Sequence, residues 1–285
     1  MSDANMRGPA DSGSERTRPI LEARRVRRRF GDLVAVGGVD VDLHAGAVTV
    51  VMGANGAGKS TLMRLLAGDM VPDSGVIRVG GVDLAAFPDE ARARLIYVAQ
   101  HPPLAPFLSL REHAGALLAL RSLEAAPARA AFEDVAGRLG LTAALDRPAR
   151  ALSGGMAHKA ALAMALIAGT DLVLLDEPHA GLDLESMLAL RQLIHEARAR
   201  GVAFLIASHL PEATLALADR VLVLRGGRLV LDLDSEALGL FGGDARAFEH
   251  RALVAMTGAP EPAHGGGRGS LAPAGDDADD AAEAQ

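Results

Sequence analysis

Residues Gly53 to Thr61 read GANGAGKST and follow directly on the apolar run Val48 to Met52. Gly53, Gly58, Lys59 and Ser60 satisfy the phosphate-loop pattern G-x-x-x-x-G-K-[ST]. Glycines at these intervals let the backbone wrap closely around phosphate oxygens with successive N–H groups pointing inward. The helix predicted to follow, LMRLLAG with a glycine stop at Gly68, turns its positive end toward the same anion. Lys59 adds a full charge at the outer phosphates, and the Ser60 hydroxyl is suited to Mg²⁺. The loop residues expected to hold a nucleotide are Gly53, Asn55, Gly56, Gly58, Lys59, Ser60 and Thr61.

The chain around this loop has 285 residues, 49% of them hydrophobic, which is ample for a buried core. Aromatic residues make up 3% and Trp is absent, so Leu, Val and Ala must do most of the packing. The absence of Cys excludes disulfides and Cys-based zinc sites. Five of the seven net negative charges come from Asp276, Asp277, Asp279, Asp280 and Glu283, leaving the remainder near neutral. No global attraction to nucleic acid follows, and no nucleic-acid partner is expected. The arginines of RRVRRR, Arg24 to Arg29, would alternate between the two faces of a strand and read as solvated edge residues. No apolar run reaches the roughly 18 residues needed to cross a bilayer, and the first 19 residues lack the apolar centre of a signal peptide. A soluble, cytoplasmic chain is expected.

Residues 1–19 and 258–285 are compositionally unable to form a core and are expected to be disordered. From Ile20 to Leu43 the pattern is strand-like, with turns predicted at Gly31–Asp32 and Gly37–Gly38. Strands at 48–52, 75–79, 95–98, 172–175 and 203–207 alternate with helical stretches, which argues for a mainly parallel sheet covered on both faces. Residues 221–224 and 228–231 read as a hairpin joined at Gly226–Gly227. The interval from Leu108 to Leu152 is helix and loop throughout and reads as an inserted lobe. Within it Leu110, Ala114, Leu117, Leu118 and Arg121 share one helix face. Met156 and Met164 read as fillers of core gaps.

Three further motifs narrow the chemistry. LVLLDEP, residues 172–178, ends a buried strand in two acids, which at the C-terminal edge of a parallel sheet lie beside a phosphate loop. Asp176 is placed to hold Mg²⁺ and Glu177 to polarise an attacking water. LSGG, residues 152–155, opens a helix and makes a second anion-binding N-terminus. A single nucleotide has no need of two such grips from one chain. His209 follows the strand Ala203 to Ala207, and a lone histidine there is more often a satisfied structural residue than a catalytic one.

Together the motifs resemble those of the ATP-binding subunits of ABC transporters, over about 20–238. That resemblance implies a P-loop, RecA-like α/β core with an antiparallel β subdomain and an inserted helical subdomain. The expected division is an ATPase domain at 20–240, with the helical part at about 101–165, and a short helix at 241–257. It implies ATP and Mg²⁺ as cofactors and head-to-tail pairing, as a homodimer or heterodimer. Ser153, Gly154 and Gly155 would then meet ATP held by the partner, which accounts for the second grip. Gln100 matches the glutamine that senses the γ-phosphate and Mg²⁺, Asp183 the loop that crosses the dimer seam, and His209 the histidine that contacts the γ-phosphate. Phe30 matches the aromatic that stacks on adenine, with Val36 beside that ring. Glu177 is then the base, assisted by His209 and Gln100, and Ser60, Gln100 and Asp176 surround the metal. A separate integral-membrane permease is implied as partner. It would hold the chain on the inner face of the membrane, with Leu104, Phe107 and Leu108 as candidates either to line the groove it enters or to pack the core of the helical lobe. A soluble ABC ATPase acting on ribosomes or nucleic acid is the alternative.

The chain departs from the family pattern at Met156, His158 and Lys159 after LSGG, at His179 after DEP, and at Phe30 where Tyr is commoner. None of these removes a catalytic group. Lys159 keeps the charge of the usual arginine and loses its planar fork. The GGM-x-x-K form leans toward export subunits.

Overall fold

The computed structural model describes residues 18–211 and 215–258. The disorder expected at 1–19 and 258–285 falls, apart from residues 18, 19 and 258, outside them. Among the described residues ten strands form two sheets: β1 (Leu21–Phe30), β2 (Leu33–Leu43), β3 (Val48–Met52), β4 (Ser74–Val79), β5 (Val82–Asp83), β6 (Leu95–Val98), β7 (Leu172–Asp176), β8 (Ala203–Ser208), β9 (Arg220–Arg225) and β10 (Arg228–Leu233). The helices described are α1 (Lys59–Leu66), α2 (Pro88–Ala93), α3 (Leu110–Leu120), α4 (Ala125–Arg138), α5 (Gly154–Leu166), α6 (Leu184–Ala199), α7 (Ser235–Gly239) and α8 (Ala245–Thr257).

The larger sheet has the order β10-β9-β3-β8-β7-β6. Its members from β9 to β6 run parallel, and β10 closes one edge as the antiparallel arm of a hairpin. Each central strand is apolar at nearly every position, which a parallel sheet covered on both faces requires. The period-two alternation sorts those residues into two cores. Val48, Val50, Val173, Leu175, Phe204, Ile206, Val221 and Val223 face the core built with α3 to α6. Val51, Leu172, Leu174, Leu205, Leu222 and Leu224 face the core built with α1 and the smaller sheet. Each fully buried large apolar side chain contributes roughly 1.5–3 kcal/mol relative to exposure.

The smaller sheet, β2-β1-β4-β5, is antiparallel. Gly37 and Gly38, predicted as a turn, lie inside β2 instead. The register against β1 slips there, from Val26 opposite Val39 to Arg27 opposite Gly37, and Gly38 has φ +94°. The glycine pair marks a bulge that re-aims one strand, with no reversal of the chain. The bulge also lets the Gly37 N–H donate to the Gly227 carbonyl at 2.8 Å, docking the small sheet on the β9–β10 hairpin. Of the arginines in β1, Arg24 pairs with Asp42 and Arg28 with Asp73.

Helices α3 and α4 pack on α5 and fill the interval between β6 and β7. Ser109 caps α3 in a full capping box with Glu112. Leu110, Ala114 and Leu118 of α3 are buried, whereas Leu117 and Arg121 are half-buried. Arg121 donates to the carbonyls of Ala93 and Leu95, and Arg138 of α4 makes a two-pronged pair with Glu196 of α6, both at 2.8 Å. Met164 is buried in the core, and Met156 packs against its edge.

Gly58 joins the two sheets mechanically. It has φ +106°, and a Cβ there would fall 2.1 Å from the Ala35 carbonyl oxygen of β2. Gly56 also has a positive φ, +82°, but a Cβ there meets nothing within 4 Å. Gly56→Ala is therefore expected to cost only the left-handed penalty, about 1–2 kcal/mol. Gly58→Ala should cost at least about 1 kcal/mol more, because backbone must move. Urea unfolding of both variants measures the difference, and equal losses would show that the β2 contact does not constrain the loop.

Candidate active site

In the order of the large sheet, β3, β8, β7 and β6 are neighbours and parallel, so their C-terminal ends lie side by side. The chain leaves β3 into the phosphate loop, β8 into His209, β7 into Glu177, and β6 into Gln100 within two residues. Four motifs distant in sequence thus reach one edge of one sheet.

The loop 53–58 leads into α1, whose first residue is Lys59. Lys59 is buried, and its Nζ donates to the Gly53 carbonyl at 2.7 Å and lies 3.8 Å from Glu177 Oε1. The other oxygen, Glu177 Oε2, lies 2.7 Å from His209 Nδ1. Lysine, glutamate and histidine therefore form one chain across the ends of β3, β7 and β8. Asn55, Gly56 and Ser60 are exposed, and Thr61 is half-buried.

Glu177 has φ +51°, a left-handed conformation seldom adopted outside glycine. Such a residue stores on the order of 1–3 kcal/mol and persists only where its surroundings hold it. Its own N–H donates to the Ala207 carbonyl at 2.9 Å, and its carbonyl accepts from the Ala180 N–H at 3.0 Å. No sequence signal marked this strain.

Asp176, at 3% exposure, has one oxygen that accepts from the Tyr97 hydroxyl at 3.4 Å and a second, Oδ1, without a partner among the described residues. Burial and then the Asp176 carboxylate push the Tyr97 phenol up, so it stays a donor. A buried, unsatisfied carboxylate oxygen at this edge, with the Ser60 hydroxyl beside the loop, is a hard oxygen donor set. The residues present fit Mg²⁺. Gln100 is exposed, and no hydrogen bond joins its side chain to the Lys59–Glu177–His209 chain. Tyr97 lies in β6 opposite Leu174 of β7, a register that only the pairing of the strands reveals.

Phe30 is 45% exposed at the end of β1, with the Arg28 guanidinium 5.1 Å from its ring centroid. Val36 is fully buried in the core beneath the small sheet, so it offers no surface to an adenine ring. The expectation that it flanks the base is corrected: Val36 packs the sheet. Leu33 and Val34, at the start of the strand, are the large apolar side chains that β2 leaves in solvent.

Ser153 caps α5, its hydroxyl accepting from the Met156 N–H at 3.2 Å. Ser153 and Gly154 are exposed and Gly155 half-buried, and no hydrogen bond joins them to the phosphate loop of the same chain. Asp183 caps α6 through the Ser186 N–H and accepts from Lys159 Nζ at 2.7 Å. The Lys159 bond and then the Ser186 amide hold its carboxyl far below the usual range. Phe107 is 74% exposed and Leu108 38%, with the Arg150 guanidinium over the Phe107 ring, whereas Leu104 packs partly against the core.

The sequence matches the family described as ABC transporter over residues 36–180. An aliphatic sulfonates import ATP-binding protein of Mesorhizobium japonicum is 35% identical over 228 residues, covering 76% of this chain and 83% of that protein. A lipopolysaccharide export system ATP-binding protein of Acidithiobacillus ferridurans is 33% identical over 213 residues, covering 74% and 88% respectively. Several other curated relatives are longer, and the chain spans 57–59% of their length. Among solved structures, an ATP-binding subunit of an ABC transporter superposes with a TM-score of 0.77 at 25% identity, covering 84% of this chain and 99% of that one. Family match, relatives and fold agree with the edge of the sheet, and the chain belongs to the ABC transporter family, among its ATP-binding subunits, which are ATPases.

Proposed function

We propose that this chain binds MgATP at the C-terminal edge of the large sheet, pairs with a second ATP-binding subunit across that edge, and drives a separate membrane permease by hydrolysis. The observation that carries the reading is the Lys59–Glu177–His209 chain, a buried cation, a strained carboxylate and a partly exposed imidazole in one line. Lys59, held by the Gly53 carbonyl, is one side-chain rotation from an incoming phosphate. Glu177 accepts a proton from the attacking water, with His209 orienting the carboxylate and its exposed side turned to the γ-phosphate. Ser60, Asp176 and Gln100 would hold Mg²⁺, which when bound neutralises charge on the phosphates. Phe30 stacks on adenine with the face opposite Arg28, and Asn55, Gly56 and Thr61 complete the cradle.

Pairing is supported by what one chain leaves unused. Ser153, Gly154 and Gly155 present a capped helix N-terminus to solvent without touching their own phosphate loop, and Leu184 and Leu188 of α6 are exposed beside Asp183. A permease is supported by exposed Phe107 and Leu108 close after Gln100. Among the described residues no helix is long and apolar enough to cross a membrane. The reading therefore places the chain at the inner membrane face through its partner. The signature leans toward export, while relatives named for import and for export match at similar identity, 35% and 33%, and we assign direction to the permease.

Glu177→Gln should lower phosphate release by about 10²–10⁴-fold while ATP still binds, and ATP should move the variant to dimer size on gel filtration. Hydrolysis at the wild-type rate would remove Glu177 as base. Lys59→Ala should weaken ATP binding by at least about tenfold, since a charge-assisted phosphate contact contributes roughly 1.5–3 kcal/mol. Calorimetric titration with ATP measures it, and unchanged affinity would overturn the phosphate-loop assignment. Phe30→Ala should weaken ATP by a few-fold, in line with the roughly 0.5–1.5 kcal/mol of an aromatic pair. The same titration checks it, and an ATP affinity equal to that of the wild type would remove Phe30 from the adenine site.

A further inference from the structure

His158 stands on α5, one turn beyond the Ser153–Gly155 cap, yet it is 2% exposed. Its Nε2 lies 3.3 Å from the carbonyl oxygen of Pro178, the residue after Glu177. No other donor reaches that carbonyl among the described residues. The Gln100 backbone is also close enough to act on the same imidazole. One ring thus meets the end of β6, the turn after β7 and the helix that carries the signature.

The contact does not stand alone. Residues 155, 158 and 159 share a face of α5 by their three- and four-residue spacing. From that face a Cβ on Gly155 would fall 2.9 Å from the Gly181 carbonyl, His158 reaches Pro178, and Lys159 reaches Asp183. The whole 178–183 segment is fastened to the signature helix, and His158 is the fastening next to Glu177. Glu177 sits in a left-handed conformation that its surroundings must impose. Pro178 has no N–H, so its carbonyl is the only backbone group through which that residue can be held. Burial disfavours the charged ring, and a carbonyl partner calls for the proton on Nε2, while Nδ1 has no partner among the described residues.

We propose that His158 is a positioning residue: its Nε2–H bond to the Pro178 carbonyl fixes the turn bearing Glu177 relative to the helix bearing Ser153. In a pair of subunits this would hold the base of one ATP site in register with the grip offered to the other. The inference rests on Glu177 acting as the base. A purely packing histidine would need the volume and not the donor, and that difference is measurable.

His158→Leu keeps the bulk and removes the donor, whereas His158→Gln keeps an amide that can reach the same oxygen. His158→Leu is expected to lose about 10- to 100-fold in kcat, the scale of a small misplacement, with KM for ATP within about twofold. His158→Gln is expected to regain most of the loss. A leucine variant within twofold of wild type, or a glutamine variant no better than leucine, overturns the proposal. Should the leucine variant fail to fold, nitrogen-15 NMR of the wild-type imidazoles decides: the Nε2–H tautomer is required at His158, and the Nδ1–H tautomer refutes the bond. If wild-type protein with ATP and Mg²⁺ releases no phosphate, the ATPase reading fails, while the tautomer still reports on the bond itself.

Discussion

A sheet that is apolar on both faces leaves its strands one place to put charge, which is their ends. Strands β3, β7 and β8 are buried at every position. A polar group within them would face one core or the other without water. The charged residues therefore collect where the strands stop, and parallel pairing brings those stops to one edge. Lys59, Asp176 and Glu177 are themselves buried, so each needs a partner or a ligand. Lys59 and Glu177 face each other, and Asp176 keeps one oxygen unsatisfied. The phosphate and metal chemistry of the family is what such an edge can accommodate.

The second consequence concerns the helical lobe. It enters and leaves between β6 and β7, next to the reactive edge, and is joined to the rest by the shared core and by a few directional contacts. Arg121 spans to the carbonyls at the start of β6, and Arg138 and Glu196 bridge α4 to α6. Arg138 and Glu196 are only partly buried, so this pair adds modestly to stability and chiefly sets geometry. The lobe ends in α5, whose core face is Ala-rich and whose other end carries the signature. Of the helices of the lobe, α5 is the one fastened to 178–183.

Much of this is legible in the order of the amino acids alone. The phosphate loop, the acids after β7, the hairpin at Gly226–Gly227 and the capped helix at Ser153 all carry local signals: glycine spacing, an apolar run ending in acids, a turn pair, a cap. What escapes such a reading is set by contacts between distant segments. Gly37–Gly38 has the composition of a turn, and only pairing with β1 makes it a bulge. Val36 lies two residues from exposed Val34, yet the strand turns it into the core. The strain at Glu177 and the Tyr97 bond to Asp176 depend on how β6, β7 and β8 align, information that no window of sequence holds.

Two substitutions that look independent in sequence, His158 after the signature and His179 after DEP, turn out to be neighbours. Each imidazole is lowered by burial first, and the His179 shift has His158 as its second cause. Both rings leave Nδ1 unpartnered among the described residues. Burial disfavours the charged form of each ring, and a charge on one would further disfavour a charge on the other. His158 bonds the carbonyl of the strained turn through its Nε2, and His179 stands beside it on that turn. The departures at the signature and at the turn after DEP thus meet at one place in the fold.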